Sequence, residues 1–153
     1  MPVDRRRLAW SMTIPDDPWW LEFIAADPPH TAKLATVRAD GRPHVAPVWV
    51  GVDGTQLLFN TGADTLKGKS LRRDPRVSLC FDDERPPFSF VIVEGTAELS
   101  EDPDELLRWS TIIGGRYMGA GRAEEYGTRN GVPGELLVRV TPTHVVAARD
   151  IAD

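Results

Sequence analysis

From residue 31 onward, apolar and polar positions alternate with a period of two, in short runs separated by turn residues. Lys33-Leu34-Ala35-Thr36-Val37-Arg38 reads as a strand and Asp40-Gly41 as a tight hairpin turn. Residues 43–52 return as a second strand, Asp53-Gly54 makes another turn, and residues 56–61 form a third, so three consecutive antiparallel strands are predicted. Pro47 cannot donate a ladder hydrogen bond, which places its strand at an edge, at a bulge, or open on one side to a ligand. Two more strands are expected over 76–81 and 88–99, with Gly95 at a bulge or barrel corner. The last two, 136–140 and 144–148, join at Thr141-Pro142.

Between these runs the period lengthens. Asp16 and Asp17 before Pro18 announce a helix over about 18–26, whose Trp19, Trp20, Phe23 and Ile24 form one apolar face. A basic helix over 65–73 ends at Asp74-Pro75, and another opens near Pro103 and runs through Leu106, Leu107, Trp109, Ile112 and Ile113. The seven glycines within 114–134 predict a mobile loop with a helical turn near 123–126. About seven short strands, two or three helices and no βαβ rhythm predict a mainly β (α+β) protein, an antiparallel barrel with flanking helices. Residues 1–15 are expected to form an arm, loose or lying on a neighbouring subunit, and 16–153 a single domain.

Composition narrows the function. The net charge of −5 argues against general nucleic-acid binding, and no apolar run approaches the length of a membrane span. Cys80 is the single cysteine, so no internal disulfide can form, and its apolar run suggests a small buried hydrophobe in a cytoplasmic protein. Fifteen arginines against three lysines, with abundant Ala, Gly and Pro, hint at a GC-rich genome. His30, His44 and His144 lack metal-ligand spacing, so no metal site is expected. The glycines of 114–121 lack the Lys-Ser/Thr pair of a P-loop, and no Gly-x-Ser-x-Gly elbow is present. A reactive group, if the protein is an enzyme, is therefore imported.

One stretch breaks the acidic trend. Lys67, Lys69, Arg72, Arg73 and Arg76 against Asp64 and Asp74 give 5 − 2 = +3 over residues 61–76. A solvated basic face is one reading. The other is an anion site, because a strand end entering a helix presents free N–H groups and a favourable dipole to a phosphate.

The segments Ala35-Thr36-Val37-Arg38-Ala39-Asp40-Gly41-Arg42-Pro43-His44-Val45-Ala46-Pro47-Val48-Trp49, Lys67-Gly68-Lys69-Ser70-Leu71-Arg72-Arg73-Asp74-Pro75-Arg76-Val77 and Val93-Glu94-Gly95-Thr96-Ala97, in that order, resemble the pyridoxamine-phosphate-oxidase-like split β-barrel superfamily. Within it the chain is most similar to the deazaflavin (coenzyme F420) dependent reductases, small proteins usually actinobacterial. The likeness covers residues 31–99 well and the tail loosely. It implies a homodimer with two cofactors in clefts between subunits. By the same resemblance Lys67 is the phosphate-binding lysine, with Lys69 and Ser70 in the adjoining turn. Val45, Ala46, Pro47 and Val48 are expected to give backbone contacts along the cofactor ring, and Phe59, Asn60 and Thr61 to line its other side. Arg129 is a candidate for reaching the partner's cofactor. No catalytic side chain is identified.

The tail, with Arg139, His144 and Arg149, lacks the close Arg and His pair that pyridoxamine phosphate oxidases use for pyridoxal phosphate, so that substrate is not expected. The expected activity is hydride transfer from the reduced deazaflavin to an electron-poor, conjugated organic substrate. FMN ends in phosphate at the same place and remains an alternative cofactor, as does a non-catalytic carrier of either group. The surplus cations suit the deazaflavin, whose lactyl-oligoglutamate tail adds negative charge.

Overall fold

The computed structural model describes residues 13–153; the first twelve residues of the predicted arm lie outside the described residues. Helix α1 spans Trp19–Ala25, with Asp17 accepting the Trp19 amide at 3.0 Å just before it. Strands β1 (Ala32–Val37) and β2 (Pro43–Val48) form the first predicted hairpin, and Gly41 takes the positive φ of +84° that its turn requires. Next come β3 (Gly51–Asp53), β4 (Gln56–Gly62), α2 (Leu66–Arg73), β5 (Arg76–Asp83) and β6 (Ser89–Ser100). Helix α3 (Pro103–Met118), a 3₁₀ turn, α4 (Ala123–Asn130) and the long strand β7 (Glu135–Ala148) complete the described chain.

The seven strands make one sheet in the order β2-β1-β5-β6-β7-β4-β3, every pair antiparallel. The predicted second strand is therefore two. β2 and β3 occupy opposite edges, yet only Trp49 and Val50 separate them in sequence. Three Cα steps reach about 11 Å, whereas six strand spacings across a flat sheet would need about 29 Å. The sheet has to curl until its edges approach. The result is a half-barrel with flanking helices, as the alternation predicted, and Pro47 lies on an edge strand.

Inside the curl, Leu34, Leu57, Phe59, Leu79, Phe81, Val93 and Val138 are completely buried together with Ile24 of α1. Helix α3 covers the outer side of β4 and β7, where Leu106 and Trp109 meet Leu58 and Leu137. With both faces covered, these two strands carry runs of apolar residues rather than clean alternation.

Two predictions near the carboxyl end are corrected. The two last strands are one: the register shifts between Glu94 and Gly95, where Thr143 of β7 is left without a partner, and the strand runs on through this bulge to Pro142. A Cβ on Gly95 would lie 2.5 Å from the Thr141 carbonyl oxygen. The glycine-rich stretch is helical rather than a loop. Gly114 and Gly127 let α3 and α4 touch, since a Cβ on Gly114 would meet Tyr126 Cβ at 2.5 Å and one on Gly127 would meet Thr111 Oγ1 at 2.0 Å. Gly127→Ala should therefore destabilise the fold by about 1–3 kcal/mol through overpacking, read as a lower denaturant midpoint at unchanged slope.

Candidate functional site

The curl brings β2, at one edge, near the end of β4 and leaves a cleft of about 550 Å³ between them. Its walls include Pro47, Val48 and Trp49 on one side and Asn60, Thr61 and Gly62 on the other, with Thr65 and Lys67 at the turn into α2. The volume is that of a site for a small ligand or cofactor.

The turn is built by one hydroxyl. Thr65 caps α2: its Oγ1 accepts the Gly68 amide at 3.1 Å and donates to the Gly62 carbonyl at 2.7 Å. The Thr65 proton being committed there, Thr61 is the donor in the 3.1 Å contact between the two threonine hydroxyls. The Ala63 amide is taken by the Gly134 carbonyl at 2.8 Å. Among the described residues, the amides of Leu66 and Lys67 in the first helical turn have no acceptor. Those donors and the Lys67 side chain beside the cleft make a cradle for an anion. Gly68 keeps it tight, since a Cβ there would lie 2.3 Å from the Gly62 carbonyl oxygen.

Both walls are held from behind. Asn60 donates to Ser110 Oγ of α3 at 2.7 Å and reaches the Asn130 carbonyl of α4 at 3.4 Å. Trp49 lies flat against Tyr117, ring centres 5.3 Å apart and planes 4° off parallel. The Tyr117 hydroxyl accepts the Val50 amide at 3.1 Å and donates to the His30 carbonyl at 2.6 Å. Arg116 donates to the carbonyls of Val50 and Ile24, tying the crossing to the end of α1. Burial lowers the Arg116 pKa and raises that of the Tyr117 phenol.

Of the predicted site residues, Pro47, Val48, Asn60, Thr61 and Lys67 line this cleft. Val45 and Ala46 lie further along β2, with the Val45 side chain 66% exposed. Phe59 does not line the cleft: on the same face of β4 as Thr61 but one pair further from the strand's end, its side chain is completely buried in the core. Ser70 is likewise buried under α2 rather than in the turn, and Lys69 is exposed on the helix. Arg129 is exposed on α4, over the Tyr126 ring, and does not line the cleft; its neighbour Asn130 does. Thr31, Thr65, Ile113, Asn130 and Glu135 also line it. Thr65 had a signal as a threonine three residues before Gly68 in a strand-to-helix turn, while the others come from segments distant in sequence.

The family model described as Pyridoxamine 5'-phosphate oxidase matches residues 20–148. The chain belongs to the pyridoxamine 5'-phosphate oxidase family. Among curated relatives, the pyridoxine/pyridoxamine 5'-phosphate oxidase of Burkholderia multivorans is 43% identical over 68 residues, 42% of this chain and 32% of the relative. That of Hyphomonas neptunium is 39% identical over 66 residues, 41% and 30% of the two chains. The matched segment thus spans about a third of these relatives' length. Among solved structures, the conserved hypothetical protein Rv2991 from Mycobacterium tuberculosis superposes with a TM-score of 0.77 at 25% identity, over 94% of this chain and 91% of that one. A chain described as an F420 reductase superposes with a TM-score of 0.65 at 24% identity, over 86% and 98%, a likeness of fold.

In this member of the pyridoxamine 5'-phosphate oxidase family, one phenol braces both the crossing and the Trp49 wall. Tyr117→Phe leaves the buried Val50 amide without a partner and should cost about 1–3 kcal/mol, measured by denaturant unfolding. Because folding raises the phenol pKa above its ordinary value of 10.0, that stabilisation is complete below about pH 9 and is lost as pH rises through the folded pKa. The gap between wild type and variant should narrow only in alkali.

Proposed function

We propose that this protein is an oxidoreductase that binds the deazaflavin coenzyme F420 in the cleft and serves hydride transfer to an electron-poor, conjugated small molecule. The observation that carries the reading is the anion cradle at the turn into α2, set against the open edge of β2. Lys67 and the free amides of Leu66 and Lys67 would hold the phosphate, and Trp49, Asn60 and Thr61 would flank the ring. The residues fit such a group: two unbonded amides and a cation sit at one end of a cleft whose other walls combine polar side chains, the Trp49 ring and the apolar Pro47, Val48 and Ile113. When bound and reduced, the deazaflavin supplies a hydride; the chain's part is to anchor, orient and restrict water. The Tyr117 hydroxyl is engaged on both sides, so final protonation falls to water.

The deazaflavin is favoured over FMN by the cations left over. Arg72 pairs with Glu101 at 3.0 Å and Arg76 with Asp74 at 2.7 Å, whereas Lys69 and Arg73 have no ion-pair partner among the described residues. These two cations on α2, Lys69 near the cradle and Arg73 at the helix's far end, suit a ligand that continues past its phosphate into an anionic tail. An FMN-dependent enzyme is the competing reading, supported by the names of the curated relatives. A second copy of the chain is proposed to close the cleft along β2, whose Val45 is two-thirds exposed.

Lys67→Ala should weaken deazaflavin binding by about 1.5–3 kcal/mol, the size of a lost charge-assisted contact, and flatten its salt dependence in tryptophan-quenching titrations. Unchanged affinity would remove the phosphate assignment. A titration of FMN in parallel decides the cofactor, and tight FMN binding with weak deazaflavin binding would overturn the proposal. Light scattering in solution tests the dimer.

A further inference from the structure

The cleft holds a charge that does not belong in a simple phosphate site. Glu135, the first residue of β7, stands opposite Gly62 in register and lines the cleft beside Thr65 and Lys67. Its Oε1 lies 3.7 Å from where a Cβ on Gly62 would be, so the carboxylate leans over the end of β4. Among the described residues it makes no hydrogen bond or ion pair through its side chain. Lys67 and Glu135 are the ionisable groups lining the cleft, one positive and one negative. Asp64 and Arg129 are nearby in sequence to lining residues, but both are exposed and neither lines it. Burial pushes the Glu135 carboxyl up from its ordinary value, and Lys67 draws it partly back.

Phosphate esters differ in the charge they bring to such a place. A monoester loses its second proton near pH 6 and carries close to two charges at neutral pH; a diester carries one. A cleft with one cation and one carboxylate stabilises the first charge through Lys67 and the free amides, and meets the second with a like charge. Specificity is a difference of affinities, and an unfavourable contact for one ligand supplies it as well as a favourable one for the other.

We propose that Glu135 is a specificity-determining residue that selects a singly charged phosphodiester over a doubly charged phosphomonoester at the cradle. The inference rests on the reading of the cleft as the cofactor's phosphate site and deepens it: the selected class is a cofactor whose phosphate is esterified on both sides. Glu135 acts through charge.

FMN and its phosphate monomethyl ester share ring and ribityl chain and differ by one charge at about pH 8, where the monoester's second ionisation is complete. Both are titrated by fluorescence against wild type, Glu135→Gln and Lys67→Ala. Wild type should prefer the methyl ester by about tenfold, the equivalent of one pKa unit of interaction. Glu135→Gln should bring the two ligands within about threefold, chiefly by tightening FMN. Equal binding of the two esters by wild type, or a preference that persists in Glu135→Gln, would overturn the inference. Lys67→Ala separates the two levels. If it weakens both ligands while Glu135→Gln keeps the preference, the phosphate site stands and selection by Glu135 falls. If it changes neither, the site reading fails and the inference with it; binding of neither ester by wild type overturns the inference alone, because the deazaflavin titration reads the site independently.

Discussion

A two-residue crossing governs this fold. Trp49 and Val50 carry the chain from one edge strand of a seven-stranded sheet to the other, a distance that two residues span only when the sheet is curled. Everything that defines the cleft follows from that. The curl sets β2 against the end of β4 and encloses the core around Phe59 and Phe81. It also fixes Trp49 at the mouth rather than in a regular strand. Tyr117 and Arg116 satisfy the polar groups of Val50, which is fully buried and outside a strand on that step. A crossing without these partners would leave buried backbone groups unpaired, at a cost that single contacts elsewhere do not offset.

The anion cradle is a local device placed on this frame. Thr65 serves as acceptor, donor and neighbour to Thr61 through a single oxygen, which fixes the path from β4 into α2 and leaves the next two amides free. Lys67 then supplies the charge and Glu135, arriving on β7, limits it. The same turn without Glu135 would accept any phosphate; with it, the electrostatic balance becomes a property of the ligand. The family membership rests on residues 20–148, and the matched segment spans about a third of the curated relatives.

Glycine has two uses in this chain that look alike in sequence. Gly41 and Gly54 adopt positive φ in hairpin turns, as Asp-Gly pairs do. Gly114 and Gly127 instead remove side-chain bulk where α3 and α4 meet, and Gly68 does so where α2 meets β4. A count of glycines between 114 and 134 suggested a loop; the helices form because the glycine-bearing faces are buried against each other. Helix packing can offset the roughly 1 kcal/mol that each glycine costs a helix interior.

Local periodicity was enough to predict the antiparallel strands and the three principal helices; it left Pro47 at an edge, a bulge or an open side and Gly95 at a bulge or a corner, and the sheet decided each. It also located the basic turn with Lys67, because a strand end, the start of a helix and a cation lie within a few residues of one another. The sheet order was beyond its reach: which strands pair is decided by contacts between distant segments, and β2 and β3 read as one strand until the curl separates them. Phe59 looked like a cleft residue because it adjoins Asn60 and Thr61, but how far along β4 the cleft extends before the core closes over the strand is set by the curl. Glu135, Asn130 and Tyr117 join the site from 68 to 73 positions beyond Gly62, Asn60 and Trp49, respectively. No local pattern marks them, and only the packing of α3, α4 and β7 against β4 brings their charge and hydroxyl chemistry to the cleft.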